Sequence, residues 1–286
     1  MQQEENISVF DISASESSRF RRIVLDVLTE ACSIPLDEEV YDGIGTLGEK
    51  QMHAAIKRFI CADTSKHEIL IHGSSGYIKK DEEDKKRRFV ADILDGNTVY
   101  EIQTGSFSPL RDKIQWILDN TTYNVMLIHP IAETKWINYI NGKTKEIEKR
   151  QRSPLKGKIT DIAPELYFLR DFISSPRFSL VIFMMEAEQY KKNMQKDNRR
   201  RPRYRKYELI PVSLLRAHVF KNADDYRLFI PNDLPERFTV KEYSKSSGIV
   251  GMDAYSIVKT LCHIDLLETD GNIGRAVAYK TRKNCN

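Results

Sequence analysis

Four cysteines in 286 residues, Cys32, Cys61, Cys262 and Cys285, stand far apart, with no Cys-x-x-Cys pair and no histidine at ligand spacing. That scarcity argues against a disulfide framework and against a structural zinc site. Long apolar runs are missing too: none approaches the roughly 20 residues a membrane-spanning helix needs. The N-terminal stretch is acidic and Ser-rich and lacks the apolar segment of a secretory signal. A reducing cytoplasm is the expected compartment. Ser106 and Ser108 lack the His and Asp partner pattern that would make either a nucleophile.

What is present is a core-forming fraction of 41% apolar residues, enough for one large domain and a small one. The net charge of +4 is unevenly spread. Residues 1–48 hold three Arg against ten Asp and Glu, a balance of −7, so the rest of the chain carries +11. A basic surface favours polyanions such as nucleic acid.

Residues 1–17 read as a frayed tail, followed by helical spacing over Arg19–Cys32 with Phe20, Ile23, Val24, Val27 and Leu28 on one side. A second helix is expected from near Gly45 through Phe59, with Glu49 in its first turn, where a carboxylate suits the helix dipole. Lys66–His72 alternates as a strand, and Lys79–Arg88, with six bases and four acids, reads as a solvated loop. Ser108-Pro109 predicts a helix start with Ser as cap, and Tyr123–Ile128 a buried strand. Trp136–Ile140 and Lys145–Lys149 flank an Asn141-Gly142 hairpin turn. Asp161 is the expected cap of a helix near Pro164, and Phe178–Met185 is another strand. Lys191–Lys206 carries nine bases and one acid and reads as a loop, followed by an edge strand over Glu208–Phe220. Beyond it, Thr239–Ser246, with Thr239 as cap, and Met252–His263 predict two helices. Tyr255, Val258, Leu261 and Cys262 are expected inside; Asp253, Ser256, Lys259, Thr260 and His263 outside. A hairpin over Leu266–Lys280 with a turn at Asp270–Gly274 completes the chain. The expected divisions are 1–44, an acidic tail and helix; 45–220, the main domain; and 221–286, a helix-turn-helix unit with a hairpin wing.

Two short apolar runs, Phe89–Leu94 and Thr98–Ile102, flank Asp95-Gly96-Asn97 and predict a tight β-hairpin. If Gly96-Asn97 form the loop, Asp92 sits opposite Glu101; if Asp95-Gly96 do, Asp92 sits diagonal to it on the same face. Either register puts two carboxylates on one face, joined by Gln103 through strand alternation. Facing like charges destabilise a ladder, and a divalent cation between them removes the conflict. The plainer reading is a solvent-facing, salt-bridged hairpin.

With Gly48-Glu49-Lys50 on a helix, Asp92 on one strand, Glu101-Ile102-Gln103 on the next and a helix behind, residues 45–130 resemble the PD-(D/E)XK endonuclease superfamily. The resemblance implies an α/β fold, a restriction-endonuclease-like mixed sheet with an αβββαβ core flanked by helices. It also implies metal-dependent hydrolysis of phosphodiester bonds in nucleic acid. Asp92, Glu101, Gln103 and Glu49 become the expected catalytic residues. Mg²⁺ or Mn²⁺ is the expected cofactor, on Asp92, Glu101, the Ile102 carbonyl and Glu49. Gln103 stands where the family more often has Lys; it can orient water but cannot titrate. Lys113 and His53 are secondary candidates for phosphate or water contact.

The C-terminal unit resembles winged-helix DNA-binding domains, which implies a small second domain. The expected partner is DNA, double-stranded in preference, with RNA left open. Its expected contacts are Arg199, Arg200, Arg201, Arg203, Tyr204, Arg205, Lys259 and Arg275, with Tyr204 able to stack on a base. Cutting both strands with one site per chain would favour a homodimer. A non-catalytic DNA-binding or regulatory protein on an inactive nuclease fold is the alternative.

Overall fold

The apolar runs of the second half become strands much longer than their hydrophobic centres. The computed structural model describes residues 8–33, 47–72, 89–141, 144, 146–193 and 204–282. Its main sheet is mixed, with β1 (Ser8–Asp11), β2 (His67–Ile71), β3 (Phe89–Asp95), β4 (Thr98–Ile102), β5 (Asn124–Ile140), β6 (Ile147–Arg152), β7 (Phe178–Asn193) and β8 (Tyr204–Phe220). The order is β1-β8-β7-β5-β4-β3-β2, with β6 on the far half of β5. The strands β2, β3 and β4 form an antiparallel meander. A helix, α3 (Arg111–Asn120), carries the chain back so that β5 runs parallel to β4, as a helical crossover requires.

One side of the sheet is covered by α1 (Ala14–Ser33) and α2 (Leu47–Ile60), whose helical spacing presents Phe20, Val24, Met52 and Ile56 to Ile128, Val181, Phe183 and Met185. Each fully buried side chain of this size contributes about 2–3 kcal/mol. The other side receives Ile114 and Ile117 of α3, the short α4 (Leu166–Leu169) and the C-terminal unit. That unit comprises α5 (Val240–Ser247), α6 (Gly251–His263) and the hairpin β9 (Leu267–Ile273) and β10 (Ala276–Thr281). Thr239 caps α5 in a reciprocal box with Glu242. Phe220, Tyr226, Phe238, Tyr243 and Ile257 belong to the same buried cluster as Ile114 and Leu166, so one core spans both sides of residue 221.

Several expectations are corrected. Residues 8–11, expected in a frayed tail, pair with β8, so β8 is an interior strand rather than an edge. Tyr123–Ile128 and Trp136–Ile140 belong to one continuous strand, because a single extra residue at Glu133 is absorbed as a bulge. The β5–β6 loop is longer than Asn141-Gly142, since Ile140 pairs with Ile147. The described ends of the expected Lys191–Lys206 loop are strand. Ser108 does not cap α3; a 3-10 turn over Ser108–Leu110 precedes that helix. Asp161 accepts from the backbone N–H of Lys158, at a 3-10 turn over Ile159–Ile162. Thr260 is fully buried, while Tyr255 is exposed: the inward stripe of α6 is Ala254, Ile257, Val258 and Leu261, rotated from the expected one. The last hairpin turns at Gly274-Arg275, because Ile273 pairs with Ala276. Lys79–Arg88 lies outside the described residues.

Candidate active site

The hairpin register decides between the two alternatives left open by the sequence. Asp95 pairs with Thr98, Leu94 with Val99 and Ile93 with Tyr100, so Gly96-Asn97 are the loop and Asp92 falls in register with Glu101. Gly96 has φ +58°, the left-handed conformation that the first position of such a turn demands. The paired ladder ends at Ile93 and Tyr100. Beyond it the Asp92 side chain takes over: its Oδ2 accepts the backbone N–H of Ile102 at 2.8 Å.

Asp92, Glu101, Ile102 and Gln103 line one cleft of about 740 Å³ with His53 and Lys57 of α2. His53 Nε2 lies 3.0 Å from Asp92 Oδ2, and Lys57 Nζ is 3.9 Å from Asp92 Oδ1 while also pairing with Glu68. Glu68 sits on β2 with φ +53°, a conformation costly for a residue with a Cβ and concentrated at functional sites. The pairs His67–Ile93 and Ile69–Ala91 bracket it, so Glu68 faces Asp92 where the ladder is interrupted. Burial pushes the Asp92 carboxyl up, but the His53 contact, the Ile102 N–H and the Lys113 charge outweigh it and hold the group below its ordinary value.

Glu101 is the deeper carboxylate, 2% exposed. Lys113 of α3 reaches it, with Nζ 2.5 Å from Oε2 and 2.6 Å from the Val90 carbonyl oxygen. Burial still dominates: it raises the Glu101 carboxyl to about 7, helped by the nearby Asp92 charge and opposed by Lys113. Glu101 Oε1 is buried and without a hydrogen-bond partner among the described residues. An orphaned buried carboxylate oxygen is expensive and is the donor a cation would satisfy.

Gln103 follows β4, and its side-chain amide donates to the Ser106 carbonyl. Its own carbonyl contacts His129 Nδ1 at 2.6 Å, and burial lowers the pKa of that imidazole. The loop after it is pinned by Glu165, which accepts from Ser106 Oγ at 2.9 Å and from the Phe107 N–H at 2.7 Å.

The expected residues thus separate into groups. Asp92, Glu101, Ile102 and Gln103 line one cleft, but the expected shared face is not kept: Asp92 meets His53 and Lys57 of α2, while Glu101 meets Lys113 of α3 on the other side of the sheet. Glu49 lies in the first turn of α2, but its side chain is outside the described residues. Arg199, Arg200, Arg201 and Arg203 are also outside them. Tyr204 and Arg205 open β8, where the Tyr204 ring packs on Tyr139. Lys259 lies over the Tyr255 ring on α6, and Arg275 is exposed at the tip of the last hairpin. Lys57 was missed by sequence reasoning. The available signal was a lysine one turn after His53 on a helix whose neighbours Ala55 and Ile56 are apolar.

Among the described residues no group of three or more His, Cys, Asp or Glu side chains is placed to hold a metal. Magnesium is commonly held by only one or two carboxylates with water completing the shell, and Asp92, Glu101 with its orphaned oxygen, and the Ile102 carbonyl fit that donor set.

Residues 50–221 match the family described as a domain of unknown function, DUF8091. The chain belongs to this family. The DUF8091 segment runs from α2 to the end of β8 and contains His53, Lys57, Asp92, Glu101, Gln103 and Lys113. The C-terminal unit of α5, α6 and the last hairpin lies after it. No curated protein and no solved structure significantly matches the chain.

Among the described residues no helix is long and apolar enough to cross a membrane.

Proposed function

We propose that the chain is a metal-dependent endonuclease acting on DNA, with the cleft around Asp92 and Glu101 as its active site. The observation that carries this reading is the buried Glu101 carboxylate, in register with Asp92, paired with Lys113 and left with one unsatisfied oxygen. The order α2, three antiparallel strands, α3, parallel β5 supports a restriction-endonuclease-like core. The pair α5 and α6 followed by a hairpin supports a winged helix. The cytoplasm remains the proposed compartment, and a homodimer the proposed assembly for cutting both strands.

A Mg²⁺ or Mn²⁺ ion held by Asp92, Glu101 and the Ile102 carbonyl, with Glu49 as a further proposed ligand, would supply Lewis-acid stabilisation of the phosphate charge. The chain's own groups do the rest. His53 keeps Asp92 ionised as a ligand. Lys113 offsets negative charge beside Glu101 and is the cation nearest in role to the lysine that Gln103 replaces. Gln103 orients water through its amide.

The second reading, a DNA-binding platform without catalysis, is favoured by Gln103: its amide is engaged by Ser106 and it cannot titrate. Asp92→Ala with Glu101→Ala separates the two. Under the nuclease reading, Mg²⁺- or Mn²⁺-dependent cleavage of plasmid DNA by the parent protein disappears in the double variant. If the parent does not cleave under either metal, the platform reading stands.

A further inference from the structure

The strands β5, β6, β7 and β8 continue well past the site, and the far part of this sheet carries one row of unusual charge. Tyr139 of β5 pairs with Lys149 of β6 on one side and with Lys191 of β7 on the other, and Lys191 pairs with Lys206 of β8. Directly paired residues share a face, so Lys149, Tyr139, Lys191 and Lys206 form a line across four strands, with Lys135 two rungs back on the same face. No ion pair joins Lys135, Lys149, Lys191 or Lys206 to an acid among the described residues. Burial, then the charges of Lys206 and Lys191, pull the Lys135 ammonium below its ordinary value. Like charges paired across a ladder destabilise it.

The opposite face shows what a compensated surface looks like in the same strands. There Glu188 accepts from Arg150 at 2.7 Å, Asn138 at 3.0 Å and Tyr190 at 2.9 Å, and Arg150 stacks over Trp136. Glu148, at the loop end of β6, accepts from Asn141 and lies beside Tyr204, which stands on the row's own face two residues before Lys206.

The lysine row lies on the face covered by α1 and α2, the side from which His53 and Lys57 reach Asp92, whereas Glu101 enters the cleft from the α3 side. All register shifts around β7 fall in its neighbours, so its alternation is unbroken. Val181, Phe183 and Met185 face α1 and α2, and Lys191 continues that series. Along β5, Leu127 pairs with Glu101, and Tyr139 stands twelve residues on, about 35–40 Å away at roughly 3.3 Å per residue. That is about eleven nucleotides of one strand at roughly 3.4 Å each.

We propose that the Lys149–Tyr139–Lys191–Lys206 row is a second contact for the phosphate backbone of duplex DNA, about one helical turn from the Asp92–Glu101 cleft. The inference rests on the nuclease reading for its substrate, and it extends that reading to a surface outside the cleft. A duplex fits better than an unstacked strand because the Tyr139 ring is already engaged: Tyr204 meets it at 4.7 Å between centroids, and the Lys149 and Lys191 ammonium groups each lie over it, 5.8 Å from its centre. Base stacking needs the ring free; phosphate contact does not. The row spans three strand spacings, about 14 Å, comparable to the roughly 12 Å width of the major groove.

The test is fluorescence anisotropy of a labelled 30-base-pair duplex in EDTA, where cleavage does not intervene, over a salt series. Lys149→Ser/Lys191→Ser/Lys206→Ser should weaken binding at least tenfold at 0.1 M salt and reduce the slope of log K against log salt by about 2–3. The corresponding triple Arg variant should bind as the parent does. A triple Ser variant with parental affinity and slope overturns the inference, as does a parent that binds no duplex. Tighter row-dependent binding of single-stranded RNA of equal length overturns duplex DNA as the occupant. Absence of cleavage with intact row-dependent binding rejects the nuclease reading and leaves this surface standing.

Discussion

Lys113 Nζ lies 2.5 Å from Glu101 Oε2 and 2.6 Å from the Val90 carbonyl oxygen, so one ammonium from α3 ties the buried carboxylate of β4 to the backbone of β3. Removing one partner of a buried pair leaves an uncompensated charge, at a cost of about 3–5 kcal/mol. Lys113→Met should therefore destabilise the fold by this order. Lys113→Met with Glu101→Gln should recover much of the loss, because no buried charge is left. Chemical denaturation of the single and double variants measures the coupling; additive effects would mean that the contact is not a coupled pair.

Glu101 gives stability a specific pH dependence. Its carboxyl is raised from 4.5 to about 7 by burial, so between those values the folded state holds a proton that the unfolded state releases. Stability from this group is present below about pH 4.5 and falls as pH rises toward 7. Glu101→Gln lacks that fall, and its stability relative to the parent should increase between pH 5 and pH 8 by up to about 3 kcal/mol. Asp92, held low, acts in the opposite sense at acidic pH: its contribution is lost as pH falls through its depressed value. Denaturation midpoints at the two pH values give the comparison, and an unchanged difference would contradict the raised carboxyl.

His53 should set the acid limb of activity. Its contact with Asp92 helps keep that carboxyl low, so His53→Ala should lose more cleavage at acidic pH, toward the ordinary carboxylate range, than at neutral pH. Parallel pH–rate profiles for parent and variant would assign His53 no such role.

Gly157 marks a close approach of the loop after β6 to the bulge in β5. A Cβ there would lie 2.5 Å from the Ala132 carbonyl oxygen, and the Gly157 N–H bonds that same oxygen at 3.2 Å. Gly157→Ala should cost about 1–3 kcal/mol, in the range of overpacking. Thermal melting tests it, and a neutral substitution would show that the loop can move away.

Local chemistry made part of this structure legible. The Asp95-Gly96-Asn97 turn, the Thr239 cap and the α1 stripe through Phe20, Val24 and Val27 each follow from spacing within a few residues. The partners of the carboxylates were harder to read, because His53 and Lys113 lie 39 and 12 residues from Asp92 and Glu101 and meet them only after the sheet assembles. The long β5 reads as two strands because the Glu133 bulge interrupts its alternation. Lys191 and Lys206 became strand residues because pairing with neighbours overrides a polar composition. The rotation of α6 arose because Thr260 can satisfy its hydroxyl on the Ser256 carbonyl inside the core.

The most direct measurement of the central claim is a crystal structure of the protein soaked in Mn²⁺. One ion is expected with carboxylate oxygens of both Asp92 and Glu101 about 2.1 Å away, Glu101 Oε1 no longer orphaned. Millimolar Mn²⁺ with no ion between the two carboxylates, and Lys113 still seated on Glu101, would contradict it.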